Sequence, residues 1–265
     1  MELNELNMIL EAAKGGDIVC LLMVIVGALI LVSGLVALVI SLWLSLRYHK
    51  FNKKENSCGL TGEQIARRIL DENDLGHIAV TASGSFLFGN SYSHYFKKVR
   101  LRRLTWKKTS VSSLAMASEK SALAILDKEK DPDMVKRVRL VPLITFGPFA
   151  FIPMIVIGVV LDILITETIG IISVIVSLLG VAFYAFSLVL SVLTLKTEKK
   201  AQERALEITA ANGTANDEEI ADMRELFRLY NIEYINNIVL STLELLFRVL
   251  QVVAKSKSGA SASND

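Results

Sequence analysis

The side chains that most often carry enzyme chemistry are scarce in this chain of 265 residues, which has only three histidines. A zinc site needs ligands that converge within about 2.0–2.3 Å of the ion. His49 follows a long apolar run in a basic flank, and His77 is expected to end a helix, so neither is expected to bind a metal. No Ser-His-Asp spacing and no glycine-rich phosphate loop is present, so other common enzyme chemistries lack support.

One segment is rich in small residues and contains a charged pair. Residues 110–125 read S-V-S-S-L-A-M-A-S-E-K-S-A-L-A-I, with Glu119 and Lys120 as the charged pair. The segment resembles the active-site helix of the bacterial YugP-type membrane zinc metallopeptidases, in which a similar run of small residues leads into H-E-V-G-H-A-I. In an H-E-x-x-H helix, two imidazoles at i and i+4 bind zinc and the intervening Glu activates its water.

This chain departs from that pattern at the positions that bind the metal. The resemblance places Glu119 and Leu123 at the two zinc-binding histidines and Lys120 at the general-base Glu, within a degenerate active-site helix at 110–126. A shift of one residue would place Glu119 on the family's Glu, but Ser118 and Ala122 would then take the ligand positions. Neither register supplies a histidine, so the resemblance implies a fold that has lost its reaction.

Further segments extend the resemblance, in the same order, from about residue 18 to 250. G-L-T-G at 59–62 is similar to the opening of the family's cytoplasmic domain, and S-H-Y at 93–95 stands where the family has a D-H-Y turn. L-V-P-L at 140–143 resembles the entry to its second span. E-K-K-A-Q-E-R-A-L at 198–206 resembles a segment whose Glu is the family's expected third zinc ligand, which is Glu198 here.

A displaced metal site remains as an alternative. Such a site would have one imidazole and two carboxylates, and its weak candidate ligands are His94, Glu119 and Glu198. Lys120 would repel a cation there if it points inward. The opposing interpretation is that Glu198 is a solvated helix charge, in which case no cofactor is expected.

The elements that must position these residues start with a membrane helix. Residues 18–46 are 29 positions without a charge, which exceeds the ~20 needed to cross a bilayer. Residues 140–161 and 169–195 form two further apolar runs joined by a polar turn. Residues 232–254 carry several polar side chains, and they either span as a packed helix or lie in the interface.

The basic residues predict the orientation of these spans. Nineteen of the 29 Lys and Arg lie between positions 47 and 139. By the positive-inside rule, 47–139 and 196–231 are expected to be cytoplasmic, and residues 1–17 extracytoplasmic. Residues 255–265 are predicted to be a disordered tail.

Short elements are expected within 47–139. Thr61 is a predicted N-cap for a helix that ends near residues 73–76. Residues 78–80 and 99–101 alternate in a way that favours two paired strands.

A basic run with aromatic residues is the strongest positive feature of this region. Anionic lipid is its favoured partner, with a solvated surface and nucleic acid as alternatives. The expected lipid-contacting residues are Lys97, Lys98, Arg100, Arg102, Arg103, Trp106, Lys107 and Lys108.

Together these patterns predict a mostly α, polytopic protein of the bacterial cytoplasmic membrane. It would have about four transmembrane helices and a small α(+β), zincin-like cytoplasmic domain. Its expected function is that of an inactive peptidase homologue that binds a membrane-protein partner or an active relative. The alternatives are a membrane zinc peptidase with a displaced metal site and, from the polar residues of 232–254 alone, a transporter or channel.

Overall fold

A computed structural model describes residue 7 and residues 15–83, 89–140 and 171–262. The chain divides into two units. The apolar unit comprises residues 1–38, 142–191 and 235–265, and the polar unit comprises residues 39–141 and 192–234. The described residues are mostly helical with one small sheet, which confirms the mostly α prediction.

Three long helices run through the apolar sequence segments. Helix α1 extends over Ile18–Lys53, α6 over Ile171–Ala211 and α7 over Asp217–Ala262. Helix α1 begins beside Asp17, whose Oδ1 accepts a hydrogen bond from the Val19 amide at 2.8 Å. Among the described residues, α1 is the one helix long and apolar enough to cross a membrane.

The four predicted spans therefore have different outcomes. The first coincides with α1, whereas nearly all of 140–161 lies outside the described residues, as do residues 1–6 and 8–14 of the predicted extracytoplasmic segment. The third, 169–195, is helical from residue 171, and α6 continues without a break into the segment predicted as cytoplasmic. The fourth, 232–254, is the middle part of α7.

Residues 255–262, which we predicted to be disordered, continue α7 as a helix. No proline follows residue 153 to end the helix, so α7 continues here although three serines and one glycine in this segment disfavour a helix.

The polar unit begins within α1 and continues with one helix and a three-stranded sheet. Helix α2 covers Gly62–Glu72, and Thr61 is its N-cap, as the sequence predicted. Thr61 also forms a capping box with Gln64, which the sequence analysis did not predict. Strands β1 (Ala79–Ser83), β2 (Ser91–Ser93) and β3 (Lys98–Arg102) form the sheet in the order β1-β3-β2.

The two predicted strands do pair. Strand β3 pairs in parallel with β1, with Val80 opposite Val99, and antiparallel with β2, with Tyr92 opposite Val99. The sequence analysis did not predict β2, because three residues are too few to show an alternation.

Helices α3 (Arg103–Lys107), α4 (Val111–Lys128) and α5 (residues 132–140) follow the sheet. Every residue of α4 from Val111 to Leu126 is buried. The main core of the polar unit surrounds α4 with α2, the inner face of the sheet and the first turns of α7. A second, smaller cluster joins the end of α4 to Met134 of α5 and to Ala201 and Ala205 of α6.

Candidate functional site

The candidate site lies in the middle of α4, a helix whose sequence lets it be buried within the polar unit. Ser110 caps the helix by accepting a hydrogen bond from the Ser113 amide at 3.2 Å. The residues that follow are mainly serine and alanine, and these small side chains let neighbouring elements approach closely. Glu119 and Lys120 are consequently held in a buried environment, with side chains 5% and 11% exposed.

Lys120 lies between two carboxylates. Its Nζ is 3.0 Å from Oε2 of Glu119 and 2.8 Å from Oε2 of Glu198 on α6. The Glu198 side chain is 17% exposed. The ammonium group therefore balances, at one point, the two carboxylates that the sequence analysis singled out as candidates for a metal.

Three further side chains complete the network. Arg137 of α5 donates from Nη2 to Oε1 of Glu198 at 2.6 Å. Gln202 of α6 donates to Oε1 of Glu119 at 2.9 Å, and Asn231 of α7 donates to Oε1 of Gln202 at 2.7 Å. Four helices of the polar unit thus contribute to one buried network.

The electrostatics of the network follow from burial and pairing. Burial would raise the pKa of Glu198, but the Lys120 and Arg137 charges outweigh it and hold the pKa at about 2. Burial also opposes the charge of Lys120, yet the carboxylates of Glu119 and Glu198 leave its pKa raised. For Glu119, burial is the largest effect and it raises the pKa, although Lys120 acts against it. Lys120 and Glu198 are therefore both charged at neutral pH and form an ion pair.

The residues present do not fit a zinc ion. A catalytic zinc site has three nitrogen, oxygen or sulfur ligands of the protein and an open position for water. The described residues contain no group of three or more His, Cys, Asp or Glu side chains that could hold a metal. Glu119 and Glu198 both contact the Lys120 ammonium group, which lies within 3.0 Å of each. Its positive charge would repel a metal cation at this position.

Neither register of the resemblance places a metal ligand beside the two carboxylates. In the first register Leu123 takes the second ligand position, and it is fully buried against Ala201 and Ala205 of α6. In the shifted register Ser118 and Ala122 take those positions, and both are fully buried. The Ser118 hydroxyl has no hydrogen-bond partner among the described residues.

His94 belongs to a different cluster. Its Nδ1 is 2.6 Å from Oδ2 of Asp127, and the Tyr92 hydroxyl donates to the same oxygen at 2.6 Å. Asp127 lies eight residues after Glu119 on α4, which is about 12 Å along the helix axis. The structure therefore brings Glu119 and Glu198 together, whereas His94 pairs with Asp127. His49 and His77 are both exposed.

The basic run occupies β3 and α3. Lys97, Arg102, Arg103 and Lys107 are exposed, whereas Lys98, Arg100, Trp106 and Lys108 are partly buried. Lys108 reaches back to the Asn52 carbonyl at 3.5 Å. None of these residues takes part in the hydrogen bonds and ion pairs of the Lys120 network given above.

The sequence analysis missed Arg137, Gln202, Asn231 and Asp127. Gln202 follows Glu198 by four residues, so a helical α6 places both on one face, and this spacing was available as a signal. Arg137 and Asn231 carried no comparable signal, because their partners lie 61 and 29 residues away in the chain.

Comparison with known proteins finds one curated relative and one family. The chain is 26% identical over 214 residues to the "Putative membrane protease YugP" of Bacillus subtilis (strain 168), covering 79% of this chain and 90% of that protein. No solved structure matches the chain. The sequence model of a family described as "Putative neutral zinc metallopeptidase" matches residues 23–253. Since that match covers most of its length, this chain belongs to that neutral zinc metallopeptidase family.

Proposed function

We propose that this protein is a catalytically inactive member of its family, which binds a membrane-protein partner without cleaving it. The observation that carries the proposal is the position of Lys120 Nζ within 3.0 Å of both Glu119 and Glu198. Two carboxylates that face a cation are a typical feature of a metal site, and here the cation belongs to the protein itself.

Zinc-dependent hydrolysis needs a general base as well as a metal, and Lys120 also takes the place of that base. A zinc peptidase needs a base that takes a proton from the attacking water. Lys120 stands where the resemblance expects that base, and its raised pKa keeps the amine protonated and unable to accept a proton at neutral pH. No described contact favours the alternative of a displaced zinc site, because His94 pairs with Asp127.

We further propose that the protein acts in the bacterial cytoplasmic membrane with four spans and a cytoplasmic polar unit. Helix α1 and the printed name of the Bacillus subtilis relative support a membrane location. The concentration of Lys and Arg in residues 47–139 supports the orientation. A membrane-protein client or an active relative is the proposed partner, since a peptidase fold that keeps its core but loses its reaction keeps a surface for binding.

A proteolysis assay with a matched variant tests the inactivity. The detergent-purified protein and Glu198→Ala are incubated with an unfolded protein substrate and added zinc, and new peptide ends are identified by mass spectrometry. We expect the two preparations to give the same background. Cleavage by the unmodified protein that disappears in Glu198→Ala would overturn the proposal.

Photo-crosslinking in the native membrane tests the partner. A photoreactive side chain at Lys136 or Glu203, both exposed on the polar unit, should give a discrete adduct with one membrane protein. If neither position nor other exposed positions of the polar unit give adducts, the scaffold function is wrong.

A further inference from the structure

The sheet of the polar unit lies in a chain segment whose charged residues are all basic. Between Asp74 and Glu119 the sequence contains seven Lys and Arg and no Asp or Glu. This segment contributes all three strands and α3. Because the stretch contains no carboxylate of its own, its local potential is positive and favours the approach of anions.

The two faces of β3 differ in chemistry. Val99 and Leu101 are fully buried on the inner face, which packs towards α4. Because side chains alternate along a strand, Lys98, Arg100 and Arg102 lie on the opposite face. They form a row of cations that spans about 13 Å.

Exposed apolar side chains lie at both ends of this row. Tyr95 and Phe96, in the turn before β3, are 58% and 70% exposed. Leu104, just after β3, is 58% exposed, and Arg103 and Lys107 on α3 are exposed beside it. Cations combined with aromatic and aliphatic tips are typical of surfaces that enter the headgroup region of a bilayer.

Nucleic acid fits this surface less well. Binding to single strands uses open aromatic faces on which bases stack. Here the Lys98 Nζ lies 4.8 Å from the centre of the Phe96 ring and covers one of its faces. The Tyr95 hydroxyl donates to the Val138 carbonyl at 3.1 Å, which fixes that ring against the protein, and Leu104 offers no ring.

We propose that the outer surface formed by turn 94–97, β3 and α3 docks on anionic lipid headgroups. Lys98, Arg102 and the cations of α3 would contact the phosphates, and Phe96 and Leu104 would enter the interface. The polar unit begins within α1 itself, so this surface stays tethered to the candidate membrane helix, which raises its effective concentration at a bilayer. The proposal does not depend on whether the protein is inactive.

Lipid nanodiscs with the full-length protein provide the test. Cys20 and Cys58 are replaced by serine, and a fluorophore is attached through Lys97→Cys in one protein and through Glu203→Cys in the control. Quenching is measured with lipids that carry a nitroxide at the headgroup, in anionic and in zwitterionic nanodiscs.

We expect strong quenching at position 97 in anionic nanodiscs, and its loss in zwitterionic nanodiscs or in high salt. The double variant Arg103→Gln/Lys107→Gln should lose most of the quenching, whereas Lys130→Gln/Lys136→Gln, which also removes two exposed cations, should keep it. Equal quenching in the two lipids, or no effect of the first double variant, would overturn the proposal. Displacement of the surface from anionic lipid by low concentrations of single-stranded RNA would overturn it in favour of nucleic acid.

Discussion

A buried lysine at position 120 decides the chemistry of this protein at the scale of residues. Burying a charge is costly unless it is paired, and Lys120 is paired twice while Arg137 adds a second cation on Glu198. The sequence could identify Glu119 and Glu198 as candidate carboxylates of a metal site. It could not predict that Lys120 joins them, because that contact crosses 78 positions of the chain.

Removing the charge of Lys120 should destabilise the protein. Lys120→Met leaves two buried carboxylates with less compensation, and breaking a buried pair from one side costs about 3–5 kcal/mol. The free energy of unfolding is measured by urea denaturation in detergent. Lys128→Met is the control, since Lys128 pairs with Asp74 at an exposed site and should cost about 0–1 kcal/mol. Equal losses in the two variants would contradict the buried ion pair.

Acid should weaken the contribution of Glu198. Its folded-state pKa of about 2 lies below the ordinary value of 4.5, so its stabilisation is present above pH 4.5 and is lost as the pH falls towards 2. Glu198→Gln should therefore reduce the free energy of unfolding by about 3 kcal/mol at pH 7 and by much less at pH 2.5. Denaturation of both proteins across this range provides the measurement. A difference that stays constant with pH would mean that Glu198 is not held ionised by its partners.

Local sequence patterns predicted which elements form, but they did not predict how long the helices α6 and α7 are. The cap at Thr61 and the pairing of β1 with β3 are confirmed, because both depend on residues that are close in sequence or strongly alternating. The long helices α6 and α7 were expected as separate pieces, since a change from apolar to polar composition was interpreted as a boundary. Composition changes along α6 and α7, but no proline interrupts either helix, so the backbone continues.

The glycine that opens α2 should be essential for packing against α3. A Cβ at Gly62 would overlap the backbone oxygen of Thr105, which cannot move without shifting α3. Gly62→Ala should lower the free energy of unfolding by about 1–3 kcal/mol, as overpacking does. At Gly76 the nearest atom to such a Cβ is the flexible carboxylate of Asp71 at 3.5 Å, so Gly76→Ala should stay within about 0.5 kcal/mol. Similar melting temperatures for the two variants would contradict this close contact.

The molecule as a whole divides into an apolar unit, which contains most of the candidate membrane helix α1, and a polar unit built around the buried helix α4. The family was predictable from the order of weak motifs along the chain, and the match over residues 23–253 confirms it. The four spans stay a prediction: among the described residues, α1 is the one helix with the length and hydropathy of a span, and the fourth predicted span is part of a long, more polar helix.

Restoring the three missing side chains should restore metal binding. In Glu119→His/Lys120→Glu/Leu123→His, two imidazoles lie one helical turn apart on α4, near Glu198 of α6. We expect about one zinc per chain in this variant, and loss of that zinc when Glu198→Ala is added. A folded variant without zinc would contradict the inference that α4 and α6 retain the geometry of the family's site.

Zinc content of the unaltered protein is the most direct test of the central claim. The full-length protein and Glu198→Ala are purified in detergent without chelators, and zinc per chain is determined by elemental mass spectrometry. Because Lys120 and Arg137 already neutralise the carboxylates, we expect zinc near zero in both proteins. About one zinc per chain in the unaltered protein, lost in Glu198→Ala, would show that a metal site exists and that the protein is a working peptidase candidate.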